Sequence, residues 1–459
     1  MFDSISPTSG QILLSYPEIS PTDLNEKLDS AVLAQRLWAK SPVPERSALL
    51  RRIAGVLRAD VPRWAGLITL EMGKPIAESE AEILKCAWCC EFYADNAERF
   101  LEPEIAPSAA TESYIVLDPL GVVLAIMPWN FPFWQFFRFA APAIAAGNGM
   151  VLKHASNVPQ CAAAIEQVMQ AAGAPDGLMA NLFIHHSKVA ALIDDPRIAA
   201  LTLTGSTEVG SVVAGQAGRA LKKQVLELGG SDPFIVLADA DVEAAAAVAV
   251  KARFHNAGQS CVCAKRFIVE DAVADAFVDA MLIGIAALKM GDPAERDVHV
   301  GPMARDNLRR DLADQVQRSV ASGAVVRAGG ALVEGDGFFF APTLLDHVTP
   351  AMAAFNEETF GPVAAIIRVK DADEAIQLAN ATEFGLGAAL WTRDIARAKK
   401  FAREIEAGAV FINGQVASDP RLPFGGIKRS GYGRELGIHG LREFTNIKTI
   451  WIGPVQATV

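Results

Sequence analysis

The sequence predicts an α/β protein with more than one domain. At 459 residues, the chain is too long for a single hydrophobic core and fits two or three domains. Short β-prone runs alternate with helical patterns along most of its length, which favours parallel sheets with helices on their faces. Two alternating blocks meet near Leu228-Gly229-Gly230. Ligands are therefore expected in the crevice between two α/β units.

The first block opens with helices and continues as a sheet. Residues 1–19 form an edge segment, and residues 20–100 carry apolar positions at helical spacing. The predicted strands that follow are 114–117, 122–126, 150–152, 182–184 and 198–203, and the predicted helices are 159–172 and 188–193. A further helix begins at Ser206 or Thr207. This order is typical of a parallel sheet.

The second block repeats the alternation in a different register. Its predicted strands are 234–237, 262–269, 362–369, 385–391 and 409–412. Its predicted helices are 242–254, 273–288, 372–379 and 395–405. A final strand is predicted over 441–451. The two blocks share no repeat, which predicts two distinct α/β units rather than a duplication.

Composition excludes several classes of protein. The net charge of −11 argues against binding to nucleic acid or anionic lipid. The start lacks a signal-peptide pattern and no apolar run reaches membrane-spanning length, so we expect a cytoplasmic protein. Six cysteines in a chain of this size indicate free thiols rather than a disulfide framework. Cys86, Cys89 and Cys90 lack further ligands, so no metal site is expected.

Cys261 is a candidate nucleophile. It follows the bend formers Asn256 and Gly258 and precedes a β-prone run, so a loop that enters a strand should carry it. A free cysteine is more often a small buried hydrophobe, and the rest of the chain must decide between the two. Glu227 adds a carboxylate beside the expected domain junction, although alone it could equally be a solvated hinge residue.

Five motifs carry a resemblance to a known family. They are PWNFP at 128–132, TGSTEVG at 204–210, ELGG at 227–230, EETFGP at 357–362 and PFGGIKRSG at 423–431. Taken in order with Cys261, they resemble the aldehyde dehydrogenase superfamily over nearly the whole chain. The segments 226–232 and 258–263 are most similar to its short bacterial succinate-semialdehyde dehydrogenase branch.

The resemblance implies an aldehyde dehydrogenase-like fold with three parts. A Rossmann-type cofactor domain would take residues 1–112 and 119–228, and an α/β catalytic domain would take 229–435. A small β oligomerisation arm and tail would take 113–118 and 436–459. Because the arm extends the sheet of a partner subunit in the family, a homo-dimer or homo-tetramer is expected.

The resemblance also implies the catalytic roles. Cys261 would add to the aldehyde carbon, and the Asn130 amide with the backbone N–H of the cysteine would hold the oxyanion. After hydride transfer, Glu227 would activate the water that hydrolyses the thioester. Family members that pass the acyl group to coenzyme A generally lack this base, so hydrolysis is favoured. The presence of all three residues disfavours a non-catalytic binding protein.

A cofactor site is predicted at the end of the strand 198–203. Gly205 and a helix start at Ser206 offer backbone N–H groups to phosphate, independently of the resemblance. By resemblance, Trp129 and Ser206 would hold the pyrophosphate, and Lys153 would hold the adenosine ribose. Glu358 and Phe360 would hold the nicotinamide ribose side.

Ser156 departs from the pattern of many NAD-using members, which have a glutamate there. A carboxylate would repel the 2′-phosphate of NADP, whereas a serine would not. We expect Ser156 to cap the helix that begins near Pro159, with Lys153 beside it, an arrangement that suits an anion. NADP is therefore expected to be the preferred cofactor, with NAD also accepted.

The substrate side combines an arginine with aromatic residues. Arg138 matches the arginine with which this branch grips a distal carboxylate, although a packed helix arginine is the alternative. Ser418 matches a serine on the same carboxylate, and Trp134 and Phe424 would form the tunnel wall. Better-known members carry a second arginine where this chain has His255, a poorer clamp. Succinate semialdehyde is the expected substrate, and uncharged aliphatic or aromatic aldehydes remain the alternative.

Cys263 lies two residues after the candidate nucleophile. In some relatives such a pair forms a reversible disulfide that inactivates the enzyme. In an extended strand the two Cα atoms would lie near the upper limit of about 6.8 Å for bridging, so a bend would be needed. Cys263 therefore has two interpretations, as a redox partner of Cys261 and as a packing cysteine.

Overall fold

Two sheets, one in each half of the chain, organise the fold. The computed structural model describes residues 1–454. The strands are β1 (Phe2–Ile5), β2 (Ile12–Tyr16), β3 (Glu104–Ile105), β4 (Glu112–Pro119), β5 (Val122–Met127), β6 (Gly149–His154), β7 (Met179–Asn181), β8 (Ile198–Thr204), β9 (Lys223–Glu227), β10 (Asp232–Val236), β11 (Ala264–Glu270), β12 (Val325–Ala328), β13 (Thr343–Asp346), β14 (Val363–Val369), β15 (Gly387–Trp391), β16 (Ala409–Ile412), β17 (Gly431–Tyr432) and β18 (Thr445–Ile452).

Helices cover the faces of these sheets. They are α1 (Pro21–Trp38), α2 (Val43–Ala59), α3 (Val61–Met72), α4 (Ile76–Phe100), α5 (Pro132–Ala146), α6 (Pro159–Ala171), α7 (Val189–Asp194), α8 (Thr207–Arg219), α9 (Val242–Phe254), α10 (Asp271–Ala286), α11 (Asp306–Ala321), α12 (Ala353–Asn356), α13 (Ala372–Asn380), α14 (Ile395–Glu404) and α15 (Gly437–Glu443). The predicted mixed α/β class is confirmed.

The first sheet has the strand order β17-β9-β8-β5-β6-β7. Its strands β5 to β9 run parallel, and β17 joins β9 antiparallel. All six residues of β5 are buried, the continuous apolar run expected of a central parallel strand. Every residue of α5 is also buried, so this helix lies in the core and carries its side chains into the interior.

The second sheet has the order β12-β13-β14-β11-β10-β15-β16, with β12 as its antiparallel edge. Alternate residues of its central strands belong to two different cores. Phe234 and Phe267 pack in the core that contains α9 and α10. Ile235 and Ile268 pack in the core that contains α11, α13 and α14. This sheet is therefore covered by helices on both faces, as the second alternating block predicted.

A third sheet forms the arm. Its order is β18-β4-β3, and β18 pairs antiparallel with β4 over eight residue pairs, from Thr445 opposite Pro119 to Ile452 opposite Glu112. The predicted pairing of the tail with the ribbon at 114–117 is confirmed. The ribbon is longer than predicted, since β4 spans eight residues. Ile447 and Trp451 are 66% and 58% exposed on this sheet.

Three predicted segments differ from the structure. The strand predicted at 182–184 lies at Met179–Asn181 instead, because Leu182 and Ile184 are buried without continuing the strand. The strand predicted over 441–451 begins only at Thr445, after the end of α15. Within the range 229–435 assigned to one domain, β17 pairs with the sheet of the other, so that range does not follow the sheets.

Two features of the described residues bear on function class. None of the helices within 1–454 is long and apolar enough to cross a membrane. No cluster of three or more His, Cys, Asp or Glu side chains in that range could hold a metal ion. Cys86, Cys89 and Cys90 are buried along α4, where they contribute to the core of the first unit.

Candidate active site

Cys261 follows a strained turn between α9 and β11. Residues 256–258 have φ values of 55°, 50° and 72°, a left-handed conformation that costs free energy in residues other than glycine. The Asn256 side chain holds this turn, since its Nδ2 donates to the carbonyls of Asn130 and Gln259, both at 2.9 Å. The loop that carries Cys261 is therefore fixed to the start of α5. Strand β11 begins three residues later, as the loop-to-strand position predicted.

Two cavities meet at Cys261. One has a volume of about 260 Å³, and we call it the Ser418 cavity; its lining includes Lys85, Trp134, Arg138, His255, Ser418 and Phe424. The other has a volume of about 240 Å³, and we call it the Ser206 cavity; its lining includes Trp129, Asn130, Gly205, Ser206, Glu358 and Phe360. Cys261 lines both. Most predicted substrate residues thus lie on one side of the thiol and most predicted cofactor residues on the other.

Burial raises the pKa of the Cys261 thiol to about 12, against the opposing effect of the Arg138 and Lys265 charges. Lys265 is fully buried, and its Nζ donates to the Ser260 and Cys261 carbonyls at 3.1 and 2.9 Å. Because the thiolate is the nucleophilic form, the resting side chain is a protonated thiol that must lose its proton before attack.

Glu227 is the last residue of β9 and is 1% exposed. Neither of its carboxylate oxygens has a hydrogen-bond partner within the described part of the chain. Burial raises the pKa of this carboxyl, and the nearby charge of Glu435 raises it further. Gly425 leaves room for it, since a Cβ there would lie 2.7 Å from Glu227 Oε1. A buried, unpartnered carboxyl with a raised pKa has the character of a general base.

Asn130 is 4% exposed and lies two residues before α5. Its Nδ2 donates to the Gln259 carbonyl at 3.2 Å. A side-chain amide has two N–H groups, so the second remains available to an oxygen in the Ser206 cavity. The position beside Cys261 suits an oxyanion donor.

Helix α8 presents its N-terminus to the Ser206 cavity. It begins at Thr207, as predicted, and the Ser206 hydroxyl caps it by accepting from Val209 N at 3.3 Å. The free N–H groups and the positive end of the helix dipole favour an anion at this point.

The opposite wall of the Ser206 cavity is held by an ion pair and two rings. Glu358 accepts from Gly230 N at 3.0 Å and lies 3.1 Å from Lys265 Nζ. Trp129 and Phe360 meet edge to face, with ring centroids 5.8 Å apart. Five of the seven predicted cofactor residues, drawn from both halves of the chain, therefore line one crevice.

Lys153 and Ser156 lie outside the lining of the Ser206 cavity. Lys153 is half-buried near the end of β6, and burial lowers the pKa of its ammonium group. Ser156 is exposed, and the prediction that it caps α6 is wrong, because the N-cap position is Val158 and has no side-chain cap. Two residues separate Ser156 from Pro159, which leaves its hydroxyl too early in the chain to cap the first turn.

Arg138 and His255 both have acidic partners. Arg138 on α5 is 1% exposed, forms an ion pair with the equally buried Glu435 and stacks its guanidinium 4.6 Å from the Phe424 ring centre. His255 Nδ1 lies 3.1 Å from Glu78 Oε1. The sequence analysis did not anticipate either partner. Each of the two side chains therefore already contacts a carboxylate of the protein.

Ser418 makes two contacts in its cavity. Its Oγ accepts from Lys85 Nζ at 2.8 Å and from Trp134 Nε1 at 3.1 Å. Lys85 was missed because it lies within α4, far from every motif. One signal was present in the sequence: Lys85 stands three residues after Glu82 and four before Cys89, on the buried face of the helix.

Cys263 is buried beneath the loop. Its Sγ lies 3.9 Å from the His255 carbonyl, to which it donates a weak hydrogen bond, and it is 3% exposed. Cys261 and Cys263 are both free thiols. This packing suits the second interpretation of Cys263, and its role as a redox partner stays a prediction.

The sequence model of the aldehyde dehydrogenase family matches residues 1–450. This chain belongs to the aldehyde dehydrogenase family. The predicted family and fold are confirmed, and this aldehyde dehydrogenase is an oxidoreductase that converts aldehydes to acids.

Named relatives of this aldehyde dehydrogenase share its whole length. A probable NADP(+)-dependent succinate-semialdehyde dehydrogenase of Synechocystis sp. is 49% identical over 449 residues, which cover 98% of this chain and 99% of the relative. The NAD(P)+-dependent succinate semialdehyde dehydrogenase Sad of Escherichia coli is 48% identical over 448 residues, which cover 98% and 97%. The crystal structure of succinic semialdehyde dehydrogenase from Streptococcus pyogenes with NADP+ superposes with a TM-score of 0.97 at 37% identity, covering 99% and 100%.

Proposed function

We propose that this aldehyde dehydrogenase oxidises succinate semialdehyde to succinate, with NADP as preferred cofactor and NAD as a second. One observation carries the reaction type: Cys261 lines both cavities, so a thiol-bound aldehyde on one side would face a hydride acceptor on the other. The names of the relatives at 48–49% identity support the substrate. The absence of a carboxylate at Ser156 supports NADP.

The lining of the Ser206 cavity suits the pyrophosphate and nicotinamide parts of the cofactor. The N-terminus of α8 with Ser206 would hold the pyrophosphate together with Trp129, and Glu358 with Phe360 would hold the nicotinamide ribose side. The exposed Ser156, three residues after Lys153, would leave space for a 2′-phosphate. When bound, the cofactor supplies the hydride acceptor of the reaction.

Three residues would carry out the remaining chemistry. The Cys261 sulfur, as thiolate, forms a bond to the carbonyl carbon, and the oxyanion accepts from the Asn130 amide and the backbone N–H of Cys261. The cofactor, held by Ser206, Trp129, Glu358 and Phe360, would supply the acceptor for the hydride of this adduct, and loss of that hydride would leave a thioester. Glu227 takes a proton from water as the water oxygen attacks the acyl carbon. The carbon–sulfur bond then breaks, which releases the acid and regenerates the thiolate.

The test compares initial rates with succinate semialdehyde and butanal, each with NADP and with NAD. Because the two aldehydes have the same number of carbons, the ratio of their kcat/KM values isolates the carboxylate. We expect the semialdehyde to be preferred by about tenfold or more, which corresponds to at least ~1.4 kcal/mol in transition-state binding. Equal or better rates with butanal would favour the alternative of an uncharged aliphatic or aromatic aldehyde.

We also propose that the enzyme is a cytoplasmic homo-oligomer, at minimum a dimer. The exposed Ile447 and Trp451 on β18 are the kind of surface that a partner subunit covers, and six free thiols suit a reducing compartment. Sedimentation equilibrium of the purified protein tests the assembly, and a monomer at micromolar concentration would contradict it.

A further inference from the structure

The Ser418 cavity contains one charged side chain that lacks an opposite charge. The ionisable residues in its lining are Glu78, Glu82, Lys85, Arg138 and His255. All but Lys85 have an ionisable partner of the opposite type within 4 Å, and the pairs are Glu78 with His255, Glu82 with Lys74, and Arg138 with Glu435. Within residues 1–454, Lys85 Nζ has no carboxylate within 4 Å, and its one hydrogen-bond partner is Ser418. Lys85 is therefore the uncompensated cation of this cavity.

The contacts of Ser418 leave a second donor available. Its Oγ already accepts from Lys85 Nζ and Trp134 Nε1. A hydroxyl has two lone pairs and one O–H, so with both lone pairs in use its own proton needs an acceptor elsewhere. The Lys85 ammonium has three N–H groups and uses one. Both groups line the cavity that Cys261 also lines.

The environment of Lys85 increases the benefit of binding an anion. Its Nζ lies 4.3 Å from the centre of the Trp134 ring. Burial lowers the pKa of Lys85 to about 8, and the positive charge of Arg138 acts in the same direction. Cys86, Cys89 and Glu82 act in the opposite direction and raise the pKa of Lys85. The charge of Lys85 in turn helps to lower the pKa of Asp419. A bound carboxylate would offset this loss of solvation by direct attraction.

We propose that Lys85 binds the distal carboxylate of the substrate, with the Ser418 hydroxyl as the second donor, while Arg138 stays paired with Glu435. Lys85 is then the residue that selects an acid-tailed aldehyde over an uncharged one. The inference rests on the proposed function, because it requires a substrate with a carboxylate at the end remote from the aldehyde.

The test uses the variants Lys85→Met and Lys85→Arg. Methionine keeps the length of the side chain and its packing on Trp134 but removes the charge, whereas arginine keeps the charge. We expect Lys85→Met to lower kcat/KM for succinate semialdehyde by about 30-fold or more, mainly through KM, as the loss of a charged hydrogen bond predicts. Its kcat/KM for butanal should change by less than about threefold, and Lys85→Arg should retain most of the preference.

A second measurement does not depend on turnover of the semialdehyde. Succinate should inhibit butanal oxidation by the wild type competitively, and its inhibition constant should rise by a similar factor in Lys85→Met. Butanal turnover and thermal unfolding of the same preparation show that the variant is folded. If Lys85→Met does not fold, Lys85→Gln takes its place, because it also removes the charge; an unchanged preference and unchanged inhibition by succinate in that variant would overturn the assignment.

The outcomes separate the two proposals. A wild type without preference for the semialdehyde contradicts the proposed function, and the Lys85 assignment falls with it. If Lys85→Met keeps the full preference of the wild type and the same inhibition by succinate, the Lys85 assignment alone is overturned. Arg138 would then be the residue that binds the carboxylate.

Discussion

Arg138, which lines the Ser418 cavity, forms an ion pair with Glu435, and each of these residues is 1% exposed. The arginine comes from α5 and the glutamate from the loop before α15. This pair also lies within electrostatic reach of Glu227, whose pKa is raised by the negative charge of Glu435 and lowered by Arg138. The pair therefore links the packing of the cavity to the protonation of the proposed base.

Glu435→Gln should destabilise the protein, because it leaves Arg138 buried without a counter-charge, which costs about 3–5 kcal/mol. Urea unfolding measures this loss. The matched control is Glu91→Gln, which removes the partner of Arg58 from an exposed ion pair of 2.7 Å and should cost less than about 1 kcal/mol. Equal losses in the two variants would contradict the importance assigned to the buried pair.

The same Glu435→Gln variant should change the pH dependence of hydrolysis. Glu227 must be deprotonated to act as a base. Because its pKa is raised, kcat should increase with pH at values above the ordinary pKa of a glutamate. Removing the Glu435 charge lowers the pKa of Glu227, so the rising limb should move to lower pH. A pH profile of kcat under saturating substrate measures the shift. A movement to higher pH would show that another group controls the limb.

Glu227→Gln should separate the two halves of the reaction. In the proposed mechanism Glu227 acts only on the water that hydrolyses the thioester, so one equivalent of reduced cofactor should still form in the variant. Steady-state turnover should then fall by about 10²- to 10⁴-fold, the usual contribution of a general base. Stopped-flow absorbance of the reduced cofactor measures both phases. Cys261→Ala is the control and should show neither phase, and an unchanged steady-state rate in Glu227→Gln would remove it from the mechanism.

Lys85 should give the acid-tailed substrate its own pH dependence. With a pKa of about 8, the ammonium is largely charged at pH 7 and largely neutral at pH 9. Because only the charged form binds the carboxylate, the fall in the charged fraction of Lys85 between pH 7 and pH 9 should raise KM for succinate semialdehyde by about tenfold. KM for butanal at the same pH values is the control and should stay nearly constant. A parallel rise for both aldehydes would point to a group other than Lys85.

Ser156→Glu should reverse the cofactor preference. A carboxylate at this position would repel the 2′-phosphate of NADP, at a cost of about 1–3 kcal/mol for two nearby like charges, while a ribose hydroxyl could donate to it. We expect kcat/KM with NADP to fall by about tenfold or more and that with NAD to be maintained or to rise. Ser156→Gln is the uncharged control and should retain the use of NADP.

Gly258→Ala should destabilise the loop that carries Cys261. An added Cβ would lie 2.3 Å from the Gly361 carbonyl oxygen at a φ of +72°. Gly173 is a matched control, since its φ is +71° and the nearest atom to an added Cβ is Arg52 Nε at 3.9 Å. Gly173→Ala should cost about 1–2 kcal/mol for the left-handed conformation alone, and Gly258→Ala about 3 kcal/mol or more. Chemical unfolding of both variants measures the difference.

The motifs in the sequence located residues that the fold brings together. Trp129 and Glu358 are far apart in the chain yet line one cavity with Cys261. The alternation of strands and helices predicted a crevice between two units, and the resemblance of the motifs to the family predicted which residues would line it. The partners of charged residues were not predictable. Glu435 and Lys85 lie in segments without a distinctive pattern. Only the packing of α4, α5 and the loop before α15 brings Lys85 into the Ser418 cavity and Glu435 to Arg138.

Secondary structure was predicted where burial and hydrogen bonding coincide. Strands such as Ala409–Ile412 and helices such as Val242–Phe254 have the predicted bounds. The strand expected at 182–184 was misplaced because an apolar residue is predicted to be buried whether or not it belongs to a strand. Leu182 is buried, but it lies just after the end of the strand. The interval 289–361 was left without predicted elements, although α11 contains 16 residues, because its polar composition hides a narrow apolar stripe.

The short strand β17 has a consequence for recombining this protein with others. Gly431 lies opposite Glu227 across an antiparallel bridge, and Leu228 N donates to the Ser430 carbonyl at 3.0 Å. The chain thus leaves the first sheet at residue 227 and returns to it 204 residues later. A chimaera joined at residue 228 would combine β9 from one parent with β17 from the other. The mismatch would lie at Glu227, the carboxylate proposed to activate water. Exchange of the cofactor unit between relatives therefore needs two crossovers, with the segment around Gly431 transferred together with the first sheet.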